Sequence, residues 1–190
     1  MNHRSTRILV GTGAVIAPTL HTLTDIMEVV GDGFSGVQLA INYAAFVAMP
    51  FVMIGLYALQ KPRVGVEGLI GALAYGAAFV YFAGTTMYAI ARPIADYPTL
   101  LEELGVIYTA HGALMVLGGI LFGAAVSRAR VLPRWTGLAL ITGVSLNMFV
   151  ALIDAPPILQ VVGSGVRNLA FVAMGVEVLR KPSEHLQHAV

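Results

Sequence analysis

Of 190 residues, 57% are hydrophobic and 11% are charged, about half the charged share of a soluble domain, so the chain has too little polar surface to cover itself in water. Its net charge of +1 comes from 11 basic residues strung along the chain, which leaves no footprint for a nucleic acid. There is no cysteine, which excludes disulfides, thiolate nucleophiles, iron–sulfur ligation and covalent c-type haem attachment.

A bilayer core calls for about 20 largely apolar residues per helix. Six stretches provide them: residues 8–30, 37–59, 69–91, 105–126, 135–153 and 158–179. The links are short, so residues 1–190 read as a single all-α domain, a polytopic integral membrane helical bundle of about six transmembrane helices. The first stretch follows Arg4 and Arg7 as in a signal peptide, but no small-residue cleavage site precedes the polar run from His21. It reads as a retained span.

Along span one, His21, Asp25 and Glu28 recur at i, i+4 and i+7, one stripe on one helical face. Asp32 would extend the stripe, but Gly31 and Gly33 mark the helix end. At about 1.5 Å per residue, His21 lies a few ångströms beyond the midplane and Glu28 near the interface. Pro18 and Pro50 fall inside spans one and two, where a missing backbone donor kinks a helix and opens room. Span two carries Asn42 and Tyr43, span three Tyr88, span four Tyr108 and His111. Span five carries Asn147, with Asp154 at its end, and span six carries Arg167 near its middle.

Gly119 with Gly123, and the Gly163, Ser164, Gly165 run, are small residues of the kind that let membrane helices approach closely, within one bundle or between copies in a homo-oligomer. The string from Ala45 to Met49 recurs from Ala170 to Met174, by internal duplication or by chance in an apolar alphabet.

Lys and Arg concentrate in cytoplasmic loops. Arg4 and Arg7, Lys61 and Arg63, Arg128, Arg130 and Arg134, and Arg180 and Lys181 all fall on one side of a six-span alternation, with Arg92 and Arg167 as the exceptions. This pattern places both termini in the cytoplasm of a multi-pass cell-membrane protein, with the polar cluster toward the non-cytoplasmic side. Glu177, in the otherwise apolar inner half, has Lys181 one turn later as a surface partner.

An ionisable group inside a span is costly and marks a functional position by default. Arg167 stays protonated and needs a carboxylate or several carbonyls. Asp25 and Asp154 are the candidate partners, and an anionic head group is the alternative. The inventory suits an enzyme that moves protons on a hydrophobic isoprenoid or lipid-like substrate, a terpenoid-type cyclase or isomerase working without metal or other cofactor. Asp25, Glu28 and Asp154 are its candidate acids, His21 and His111 its candidate bases. Asn42, Tyr43, Tyr88, Tyr108, Asn147 and Arg167 are the candidate substrate contacts.

His21 and His111 are also the pair that would serve as axial ligands in a b-type haem protein. Asp25 with Arg167 would equally suit a small transporter or lipid-binding protein, and a structural subunit of a larger complex is a fourth reading. No His-x-x-x-His spacing suggests zinc, and Gly11-Thr12-Gly13 lacks the third glycine of a dinucleotide fingerprint. The expected partners are the membrane and a hydrophobic small molecule or lipid.

Cysteines replacing Arg63 and Arg130 are expected to escape an impermeant thiol reagent applied to intact cells, while Asp96→Cys labels. Labelling of Arg63→Cys from outside would reverse the orientation.

Overall fold

The computed structural model describes residues 3–153 and 156–180. Among these, every regular element is an α-helix: α1 (His3–Gly31), α2 (Gly36–Gln60), α3 (Gly65–Ala91), α4 (Tyr97–Leu104), α5 (Val106–Ala129), α6 (Arg134–Ala151) and α7 (Pro157–Arg180). Six of them coincide with the six apolar stretches. The short α4 is an addition that hydropathy does not signal, because only Leu100 of its residues is buried.

Local chemistry sets the boundaries. Ser35 caps α2 by accepting the Gln38 N–H, and Asp96 caps α4 by accepting the Thr99 N–H at 2.8 Å, the side-chain acceptors that helix starts favour. α1 ends where Asp32 and Gly33 take positive φ, 52° and 136°, as the glycine pair leads one to expect. A side chain on Gly33 would meet the Ala95 carbonyl oxygen. That oxygen accepts the Phe34 N–H at 2.7 Å, so the α1–α2 turn is latched to the loop before α4. α1 and α2 run unbroken through Pro18 and Pro50.

Each long helix packs against two others, in the order α1, α2, α3, α5, α6, α7 and back to α1. Neighbours are antiparallel: Gly11 meets Leu179 and Gly175, whereas Asp25, farther along α1, meets Ser164. An even number of alternating helices can close on itself, and closure sets the first helix beside the last. It also gathers Arg4, Arg7, Lys61, Arg63, Arg128, Arg130, Arg134 and Arg180 at one end, where an Arg128–Glu67 ion pair joins α5 to α3. Lys181, the proposed partner of Glu177, lies outside the described residues.

Closure requires backbones to touch. A methyl group on Gly71 would run into the Phe122 backbone nitrogen, and one on Gly118 into that of Tyr75. Gly123 lies against the Gly137 carbonyl, and Gly119 against Val144 and Tyr75, so this small-residue row packs helices of the same chain. The repeated string serves likewise: Ala45, Phe46 and Met49 on α2, and Ala170, Phe171 and Met174 on α7, are all buried. One inward face is used twice, on the two helices that flank α1.

The outer face is apolar as well. Ile16, Phe51, Val80, Leu117, Leu138 and Leu169, one from each long helix, are exposed, which water penalises and lipid does not. Helices α2, α3 and α5 and residues 158–180 of α7 are long and apolar enough to cross a membrane. α1 differs because it carries the polar stripe, and α6 because its 18 residues include Thr136, Thr142, Ser145 and Asn147. The protein is therefore a helical bundle of membrane type.

Gly71→Ala is expected to lower stability in detergent by about 1–3 kcal/mol through overpacking. Gly84→Ala, with nothing within 4 Å of the added methyl, should cost nothing. Equal melting temperatures for the two variants would contradict the close-contact role of Gly71.

Candidate functional site

The polar stripe of α1 turns inward, toward α7. Arg167 meets it there, only 4% exposed. Its depth has a backbone cause: Gly143 of α6 lies directly against the Arg167 backbone, with no room for a side chain between. The guanidinium Nη2 stands 3.4 Å from His21 Nδ1 and Nη1 stands 3.1 Å from the Met115 sulfur. Nε has no partner. The Phe79 ring lies 5.9 Å from Cζ.

A guanidinium can only donate, so His21 Nδ1 must accept. The proton of the neutral imidazole then sits on Nε2, which faces Asp25 Oδ1 at 3.4 Å. The other carboxylate oxygen, Oδ2, accepts from the Ser164 hydroxyl, which also contacts the Val161 carbonyl at 3.1 Å. A line of groups thus runs from Arg167 through His21 and Asp25 to Ser164, with Asp25 Oδ2 accepting a hydrogen bond and Oδ1 facing the imidazole. Ser164 sits on the carboxylate and not on the imidazole, so this is no nucleophilic triad.

The surroundings hold the line in place. Phe46 meets the His21 ring edge-on at 4.7 Å, and Phe79 does so at 6.1 Å. Tyr75 stacks on Phe79 at 5.0 Å. Its side chain is fully buried, its hydroxyl has no partner, and it lies within electrostatic reach of Arg167. The Thr24 hydroxyl contacts Asn42 Oδ1 at 3.3 Å, and Asn168 donates to the Thr22 hydroxyl at 3.0 Å, tying α1 to α2 and to α7.

Glu28 is half-buried one turn beyond Asp25, with Asp25 and Asp96 as its charged neighbours. Tyr108 packs edgewise on Tyr97 and tilted on Phe82, each at 5.5 Å, which closes this end of the ring beneath α4. Asp96, at the start of α4, is held below the usual carboxylate range by hydrogen bonds from Thr99.

Of the sequence candidates, His21, Asp25 and Arg167 come into contact, while Glu28, Asn42 and Tyr108 border them. Arg167 reaches Asp25 through His21 and not directly. Asp154, its other expected partner, lies outside the described residues. Tyr43 is exposed on the outer face, and the Tyr88 hydroxyl donates to Glu103 at 2.5 Å. Asn147 is taken up by the Gln160 carbonyl at 3.1 Å, joining α6 to α7.

His111 stacks on Tyr81 at 3.9 Å and meets Phe82 edge-on at 6.3 Å. Iron at His21 would have to displace Arg167 or Asp25 from a ring nitrogen. No group of three His, Asp or Glu suited to a metal ion occurs among the described residues.

The sequence marked Ser164 only as a small packing residue and did not mark Met115 or Tyr75. Ser164 had a signal, since it stands three residues before Arg167 on one helical face. Tyr75 and Met115 lie in apolar runs and carry none. No protein-family model, no curated protein and no solved structure matches the chain.

Nitrogen-15 NMR of the detergent-solubilised protein is expected to show His21 as the Nε2–H tautomer at neutral pH. A dominant Nδ1–H tautomer would break the line between Arg167 and Asp25.

Proposed function

We propose that the chain crosses the cell membrane six times, with both termini cytoplasmic, and transfers protons on a hydrophobic, lipid-like or isoprenoid substrate as an isomerase or cyclase. The six-span count is supported by the closed ring. α1 sits between α2 and α7, and α6 between α5 and α7, and both expose apolar side chains outward as their neighbours do. The orientation rests on the basic end facing the cytoplasm, which turns the stripe toward the other side.

One observation carries the chemistry: His21 is gripped between Arg167 and Asp25 in the interior of a membrane bundle. The grip fixes the imidazole tautomer and leaves Asp25 arranged as a proton acceptor. Asp25, which the sequence offers as an acid, is the base of this proposal, His21, offered as a base, is its positioning residue, and Glu28, on the same helical face, keeps the role of proton donor. Two carboxyl groups in unlike surroundings divide those roles naturally. Delivery of a proton to one carbon and removal of a proton from another shifts a double bond or closes a ring with no oxidant or reductant. Asn42 and Tyr108 flank the place where the substrate would lie.

The test is isotopic. The protein, incubated in D2O with a total lipid extract of its host membrane, is expected to put deuterium into one class of lipid-soluble compound, read by high-resolution mass spectrometry. Asp25→Asn, which keeps the shape but removes the basic oxygen, should cut incorporation by a factor on the order of 100 or more while the protein stays folded. No incorporation by the wild type, or full incorporation by a folded Asp25→Asn, would end the proposal.

A further inference from the structure

We infer that Arg167, together with the Tyr75 hydroxyl, binds the carboxylate head group of a long-chain amphiphilic acid. This deepens the proposed function by naming its substrate class, and it rests on the reading that the substrate occupies the interior cluster.

A buried cation needs an answering charge, yet Arg167 touches no carboxylate. Its contacts are a neutral imidazole nitrogen and a thioether, and sulfur is a weak acceptor. Nε is unpartnered, and so is the Tyr75 hydroxyl, a second fully buried donor. Both side chains pack on one ring, Phe79, with Arg167 Cζ 5.9 Å from its centroid and the Tyr75 ring stacked on it at 5.0 Å. A planar anion with two oxygens matches the guanidinium fork and leaves a lone pair for the phenol. Met115 would yield the position, since its unbranched side chain repacks readily.

Charge selects the carboxylate over a phosphate. Arg167 is the one buried Arg or Lys among the described residues, enough for a single negative charge, and the Asp25 carboxylate nearby disfavours a second. The aromatic bed of Phe46, Phe79 and Phe82 suits the chain that follows. Arg167 and Asp25 flank the same imidazole, so the carbon that exchanges its proton lies within a few bonds of the head group.

The test uses cis-parinaric acid, a fluorescent polyene acid, bound to the protein in neutral detergent and read by energy transfer from Trp135, the chain's one tryptophan. Hexadecanoate is expected to compete at least about tenfold better than methyl hexadecanoate or hexadecyl phosphate. Arg167→Gln should lose this preference and Tyr75→Phe should weaken it. Equal competition by the ester, tighter binding of the phosphate, or an unchanged preference in Arg167→Gln would overturn the inference. Since the ligand comparison is made on the wild type, misfolding of a variant does not spoil it. Acid binding without deuterium incorporation would refute proton transfer and leave the head-group site standing.

Discussion

A guanidinium sealed inside a bundle of apolar helices cannot shed its proton, and the environment has to accommodate the charge. Here the accommodation is indirect. Arg167 meets one ring nitrogen of His21, the other ring nitrogen faces Asp25 at 3.4 Å, and Ser164 donates a hydrogen bond to Asp25. Each group in the line depends on the one before it: without Arg167 the imidazole loses the contact that selects its tautomer, and without His21 the carboxylate and the cation lose their link. The polar line is also the junction between α1 and α7, the two helices that close the ring.

That junction exists because backbones approach closely elsewhere. Gly143 admits the α7 backbone at the level of Arg167, and Gly71 with Gly118 brings α3 against α5. In lipid there is no hydrophobic drive between helices, so such contacts and buried hydrogen bonds do the holding. The aromatic residues then fill the interior that a six-helix ring encloses, and Phe79 serves twice, beside the His21 edge and next to the Arg167 cation. Packing and site share the same side chains, so substitutions at Phe79 would disturb both.

The end of the ring beyond the stripe is differently made. The chain crosses it through α4, anchored by the Asp96 cap, the Phe34–Ala95 hydrogen bond and the Tyr97–Tyr108 contact. Leu39, Ala89, Ile94 and Leu100 form a small apolar cluster there, separate from the main core. The bundle is thus closed over the acidic side of the site by a short element held by local contacts, and closed at the basic end by tight turns.

Composition and hydropathy alone determined that the chain is helical, where its long helices run, and that polar residues gather toward one side. Those are properties of spacing, and the lengths of helices and the i, i+4, i+7 stripe of His21, Asp25 and Glu28 are spacing written in one dimension. Arg167 announced itself because a charge inside an apolar run is costly wherever it points. The tertiary structure decided which polar residues meet. Tyr43 and Tyr108 look equivalent in sequence, yet one faces outward and the other the site; His111 stacks on Tyr81 while His21 is gripped from both sides. Such choices follow from the rotation of each helix about its axis, set by where Gly143, Gly118 and Gly71 allow contact. Rotation is fixed only when neighbours from distant parts of the chain are in place, which is why Tyr75 and Met115, silent in an apolar string, became part of the site.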